Sequence, residues 1–150
     1  GGDGPAESHG DAELARMQEA FLDSAWAHRD PLEVEVAFET SIAGVVIRGR
    51  MDAVFAEPGG GWIVVDWKTG AEPGPDDEAA VAMQLAIYRV ALARLMAART
   101  GADEAQVLER VGAAFHYVRS GRTVRPDSLP GPAELADLIR TSAPPREPAD

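Results

Sequence analysis

Gly49 to Gly70 reads GRMDAVFAEPGGGWIVVDWKTG, two strand-like arms around a glycine-rich centre. Gly49 to Ala56 forms the first arm and Trp62 to Lys68 the second. Glu57-Pro58-Gly59-Gly60-Gly61 between them is a loop of turn formers, so the segment predicts a β-hairpin. Centring the hairpin on Gly59 sets Asp52 opposite Asp66 and Arg50 opposite Lys68. Directly opposed residues share one face of a sheet, with Cβ atoms roughly 5 Å apart. The other face carries Ile47, Met51, Ala53, Phe55, Ile63, Val65 and Trp67. It is wholly apolar and is expected to be the core. A slip of one residue would mix the two faces.

Two opposed carboxylates on a half-buried strand pair repel one another. A shared proton relieves this, and so does a divalent cation held by both. Mg²⁺ characteristically binds through one or two carboxylates plus substrate phosphate. Lys68 lies two residues beyond Asp66 on the same face. It is also the single lysine beside thirteen arginines. A compact ammonium differs from a guanidinium in that its pKa moves readily. Acid, acid and lysine around one point suit metal-assisted attack on a phosphodiester.

Downstream, Gln84, Leu85 and Tyr88 form Q-L-x-x-Y on an expected helix. G-x-x-D, D-W-K-T and Q-L-x-x-Y, carried by Gly49, Asp52, Asp66, Lys68, Thr69, Gln84, Leu85 and Tyr88, span about forty residues. In that order they resemble the PD-(D/E)XK nuclease superfamily. More narrowly they resemble the RecB-type domain at the C-terminus of UvrD-like bacterial helicase-nucleases that process double-strand breaks. The resemblance implies an α/β, restriction-endonuclease-like fold with an αβββαβ core, a mixed sheet flanked by helices. It implies DNA, single-stranded by preference, as substrate. A helicase in the same chain or in a partner subunit is the implied companion. Asp52, Asp66 and the Trp67 backbone carbonyl would hold Mg²⁺ or Mn²⁺. Lys68 would act on the attacking water or the phosphorane, and Gln84 and Tyr88 would line the cleft. A catalytically silent module that guides DNA or docks a subunit is the alternative.

Composition bounds this reading. A chain of 150 residues supports one domain with a sizeable core. No cysteine is present. That fits a reducing cytoplasm and leaves no ligands for the cysteine-bound iron–sulfur cluster of some RecB-type relatives. No apolar run is expected to reach the length of a membrane span, and no signal peptide is visible. The net charge of −11 argues against a free-standing nucleic-acid binder. Most DNA affinity is therefore expected from another domain, with a local basic surface from Arg48, Arg50, Arg119, Arg122 and Arg125.

Periodicity sets the order of elements. Residues 1–10 are Gly-, Pro- and acid-rich and are expected to be disordered. A single domain then covers 11–142, with a disordered Pro-rich tail over 143–150. Within it, a helix capped by Asp11 carries Leu14, Met17, Phe21, Leu22 and Trp26 at helical spacing as far as about His28. Leu32 to Thr40 alternates, with Val34, Val36 and Phe38 facing one way and Glu33, Glu35 and Glu39 the other. Glu35 is thereby a candidate third acid near Asp52, or a partner for Arg48 or Arg50. After the hairpin comes an acidic loop. A long helix follows over about 78–100, apolar nearly all round, with Gln84 and Tyr88 as buried polar groups. A strand over 111–118, a short strand from Arg122 and a helix over 130–141 complete the chain. His116 in the strand is expected to pack rather than react. RecB-type nucleases usually add a metal-binding histidine on an earlier helix. His9 and His28 both sit poorly for that role, so the histidine is expected upstream of Gly1.

Overall fold

A computed structural model of the chain describes residues 5–22 and 24–142. In order, these are helix α1 (Pro5–Leu22), strands β1 (Glu33–Ile42), β2 (Val45–Ala56) and β3 (Trp62–Lys68), and helices α2 (Glu78–Thr100) and α3 (Glu104–Leu108). Strands β4 (Val111–Tyr117) and β5 (Arg122–Val124) and helix α4 (Pro132–Ser142) follow. The five strands form one sheet in the order β1-β2-β3-β4-β5. β3 and β4 run parallel and the other neighbours antiparallel, so the sheet is mixed. Parallel neighbours need a long crossover, and α2 with α3 supplies it. This is the restriction-endonuclease-like α/β architecture, with helices on both faces of the sheet.

The hairpin has the expected register: Ala53 pairs with Val65, Val54 with Val64, Phe55 with Ile63 and Ala56 with Trp62. Its loop closes through Glu57 N–H to the Gly61 carbonyl at 3.0 Å and Gly60 N–H to the Glu57 carbonyl at 3.0 Å. Gly61 has φ 96°, and a Cβ there would lie 2.1 Å from the Arg110 carbonyl oxygen. Only glycine fits, because the turn is pressed against the start of β4.

The core is not one face but two. Val54, Val64, Ala113, Phe115 and Tyr117 pack with Leu85, Leu92 and Met96 of α2. On the opposite face Ala53, Phe55, Ile63, Val65 and Ala114 pack with Trp26, Phe21 and Trp67. The expected single apolar face is thus the thinner layer. Moreover, Met51 belongs to the α2 cluster, and Ile47 packs with α2 and α4 residues. The alternation therefore changes sense at Asp52. The cause lies across the ladder. Glu35 has φ 50°, a left-handed conformation that breaks strand alternation. β1–β2 pairing skips Glu35, although Val34↔Ala53 and Val36↔Met51 keep the same register on either side. Val34 is 58% exposed as a result, against the expected inward face.

Two boundaries and one expectation about apolar length change. α1 starts at Pro5, so residues 5–10 are helical rather than disordered; proline suits a first helical turn, where its missing N–H costs nothing. α1 ends at Leu22, and Ala25–His28 is a separate 3₁₀ turn that brings Trp26 onto Phe55. Residues 75–100 are long and apolar enough to cross a membrane, contrary to expectation. Leu85, Ala86, Val90, Ala91, Leu92, Ala93 and Met96 of this segment are buried, which is the position of a core helix. The expected tail over 143–150 lies outside the described residues.

Candidate active site

Continuing the hairpin register one step brings Asp52 opposite Asp66. The β2–β3 ladder, however, ends at Ala53 and Val65. Beyond that point the strands part, and a side chain takes over from the backbone. The Asp52 carboxylate accepts the Trp67 N–H at 2.8 Å. In an extended strand the N–H and C=O of one residue point to the same side. The Trp67 carbonyl therefore faces the same gap as Asp52. Lys68 alternates to the other side, where its carbonyl accepts the Val118 N–H at 2.9 Å. The end of the β2–β3 ladder thus leaves a carbonyl and a carboxylate side by side.

Asp66 is 7% exposed, the one buried acid among the described residues. Burial pushes its carboxyl up to about 7, and a hydrogen bond with Asp52 pushes the same way. Lys68, whose Nζ lies 3.1 Å from Asp66 Oδ2, opposes the shift without cancelling it. Burial and the Asp52 contact both favour a proton held on Asp66. The Lys68 ammonium also sits 4.5 Å from the Phe115 ring centroid, which holds the stem over the core. The arrangement is short of positive charge, and its donors are all hard oxygens. It fits a divalent cation of the Mg²⁺ class, which would displace the proton. Among the described residues no third Asp, Glu, His or Cys joins the pair as a ligand group.

Tyr88 is brought to the site. Its phenol is pushed up to about 12, first by burial and then by the charges of Asp66 and Asp52. Phe38 meets its ring edge-on, with centroids 5.7 Å apart. Gln84, one turn earlier on α2, is exposed rather than buried and so needs no internal partner. Glu35 is not brought in: it is exposed and pairs with Arg50 at 3.4 Å. Its left-handed backbone takes it out of the regular strand alternation. The backbone of His9 lies inside α1, not before it. His28 closes the 3₁₀ turn in an exposed position. His116 is buried on the far face, where Nδ1 meets Thr123 Oγ1 at 2.9 Å. Trp26 donates to the same hydroxyl at 3.0 Å, so Thr123 ties the strand to the 3₁₀ turn.

One supporting residue escaped sequence reasoning. A Cβ at Gly49 would lie 2.8 Å from the Phe38 ring, so the glycine of G-x-x-D makes room for the side chain that abuts Tyr88. The alternation of β1 marked Phe38 as inward, but nothing local linked it to Gly49.

Comparison with known proteins decides the family. The model of the PD-(D/E)XK nuclease superfamily matches residues 3–145. The chain belongs to the PD-(D/E)XK nuclease superfamily. Nuclease chemistry follows from membership, as does the typical use of a divalent metal. No curated protein matches the chain. A solved structure titled "Crystal structure of SSO0001" is similar at 20% identity, over 92% of this chain and 59% of that one, with a TM-score of 0.43. The chain thus spans less than two-thirds of that structure's length.

Proposed function

We propose that this domain hydrolyses DNA phosphodiester bonds with Mg²⁺ or Mn²⁺, as the nuclease part of a cytoplasmic helicase-nuclease that processes DNA ends in double-strand break repair and recombination. The observation that carries the reading is the buried Asp66 beside Asp52, with Lys68 3.1 Å from Asp66, at the open end of the hairpin. Asp52, Asp66 and the Trp67 carbonyl would hold the ion. When bound, such an ion makes water a nucleophile near neutral pH and polarises a phosphoryl oxygen. The chain's own contribution is positioning. Asp52 is fixed by the Trp67 amide. The Lys68 ammonium holds or takes a proton from the attacking water, or neutralises charge gathering on the phosphorane oxygens. Tyr88, beside the carboxylates, and Gln84, one turn away in solvent, are the candidates to touch the strand being cut.

The order G-x-x-D, D-W-K-T and Q-L-x-x-Y supports the helicase context, by its resemblance to RecB-type domains. The charge of −11 supports delivery of DNA by another domain, with single strands as the product of unwinding.

Metal binding is the direct test. Calorimetric titration with Mn²⁺ should show one site that Asp52→Ala and Asp66→Ala each weaken at least tenfold. A site of unchanged affinity in both variants would remove the mechanism.

A further inference from the structure

A groove of about 540 Å³ opens where α1 passes the end of β3, lined by Leu14, Met17, Phe21, Trp67, Thr69 and Val118. Its surface is mainly apolar. Phe21 and Trp67 meet edge-to-face with centroids 5.2 Å apart, and Leu14 is 50% exposed at its rim. One ion pair spans its two walls: Arg119, next to Val118, reaches Glu13, next to Leu14, at 3.0 Å. The Arg119 side chain is 52% exposed.

The position matters as much as the composition. Trp67 and Thr69 flank Lys68 in sequence, and alternation sends their side chains to the opposite face. The groove therefore begins where the acid–lysine cluster ends, around the C-terminal tip of β3. A ligand continuous with a phosphodiester at Lys68 would enter it with a flat apolar part and an anion near Arg119. An unpaired nucleotide has both. A base-paired nucleotide has its ring faces and edges occupied and cannot enter. A groove of this size falls within the range of small-molecule sites.

We infer that this groove is a nucleobase subsite for the strand next to the scissile bond, with Arg119 exchanging Glu13 for the nucleotide's phosphate. The inference rests on the nuclease reading of the neighbouring cluster and adds to it a place for the base. Stacking on aromatic side chains is sequence-tolerant, so the subsite would distinguish paired from unpaired strands without reading sequence.

The test is equilibrium binding by fluorescence anisotropy in EDTA, so that no cleavage occurs. The probes are an oligothymidylate, an abasic strand of equal length and a duplex. Wild type should bind the oligothymidylate roughly tenfold tighter than the abasic strand. Met17→Glu should erase that difference, whereas Met17→Leu should keep it, which separates the groove from general misfolding. Arg119→Ala should weaken both strands alike and lower the salt slope by about one. Glu13→Gln should tighten binding, since it frees Arg119. Equal affinity for thymidylate and abasic strands in wild type, or an undiminished preference in Met17→Glu, would overturn the inference and assign the groove to another occupant, such as a helicase domain. The two readings fail separately. Metal-dependent cleavage without base preference removes the subsite alone. Base-dependent binding with no cleavage by a helicase-linked form removes the nuclease reading alone.

Discussion

The two ends of the β2–β3 hairpin each hold carboxylate largely out of water, and they solve the problem in opposite ways. At the closed end Glu57 has its side chain 17% exposed. Arg29 reaches it at 3.4 Å and Arg125 makes a second, shorter contact. Arg29 is itself held over the Trp26 and Phe55 rings at 5.0 and 5.2 Å. One acid has two fixed cations, so its charge is fully compensated within the protein. At the open end Asp66 and Asp52 are two acids, and Lys68 is the single cation beside Asp66. Here the protein leaves a deficit that a proton or a metal ion must fill. The closed end is a structural clasp. The open end is built to bind something, because a fully balanced site would have no use for an external cation.

The contrast can be broken most sharply at Lys68. Lys68→Ala in a helicase-linked form should reduce cleavage by about 10²–10³-fold while Mn²⁺ affinity survives, because an ammonium is not a metal ligand. Lys68→Met keeps most of the stem and should behave the same way. Lys68→Arg keeps charge but is never deprotonated in proteins; it should fail if lysine takes a proton and recover in part if lysine only neutralises charge. Near-normal turnover of Lys68→Ala at saturating metal would make Lys68 another structural clasp, like Arg125.

A smaller effect concerns pH. The Asp66 carboxyl is pushed up to about 7 in the fold, against an ordinary 3.8. Below about pH 4 both folded and unfolded chains hold this proton, and its contribution to stability is complete. As pH rises towards 7 the unfolded chain has lost the proton while the folded one keeps it. Stability therefore falls across that window by a few kcal/mol at most. Metal-free protein should melt at progressively lower temperature from pH 4 to 8, relative to Asp66→Asn, which lacks the titration. Mn²⁺ should reverse the loss at pH 8 in wild type only. Parallel pH profiles for wild type and Asp66→Asn would show that the open end carries no charge deficit.

The smallest effect is expected at the clasp. Glu57→Gln should cost about 1 kcal/mol in chemical denaturation, since both arginines are partly solvated. Mn²⁺ affinity should not change. A change in metal affinity would mean that the two ends are coupled along the hairpin rather than independent.

Much of this was legible from residue order. The glycine loop and the alternation on either side set the hairpin register, and the register set Asp52 against Asp66. Gly, Asp and Lys at motif spacing pointed to nuclease chemistry, and the family match supports the coarse form of that reading. The run of elements α, β, β, β, α, β came from hydrophobic period alone. These features are short-range: each depends on residues a few positions apart or joined by one tight turn.

What stayed hidden depends on chain segments far apart in sequence. The apolar runs of β2 and β3 look one-sided, yet α2 covers one face and Trp26 with Phe21 the other. The left-handed Glu35 gives no sequence signal, since the same residue in regular β geometry would have pointed beside Asp52. With that φ value the acid lies exposed and paired with Arg50 instead. Gln84 and Tyr88 looked equivalent on one helical stripe, but the fold half-buries Tyr88 against the core and leaves Gln84 exposed. Residue order therefore establishes which groups face each other across the hairpin, because strand geometry is local. Whether they are dry, splayed and short of charge is a matter of packing, because desolvation and field depend on everything folded around them.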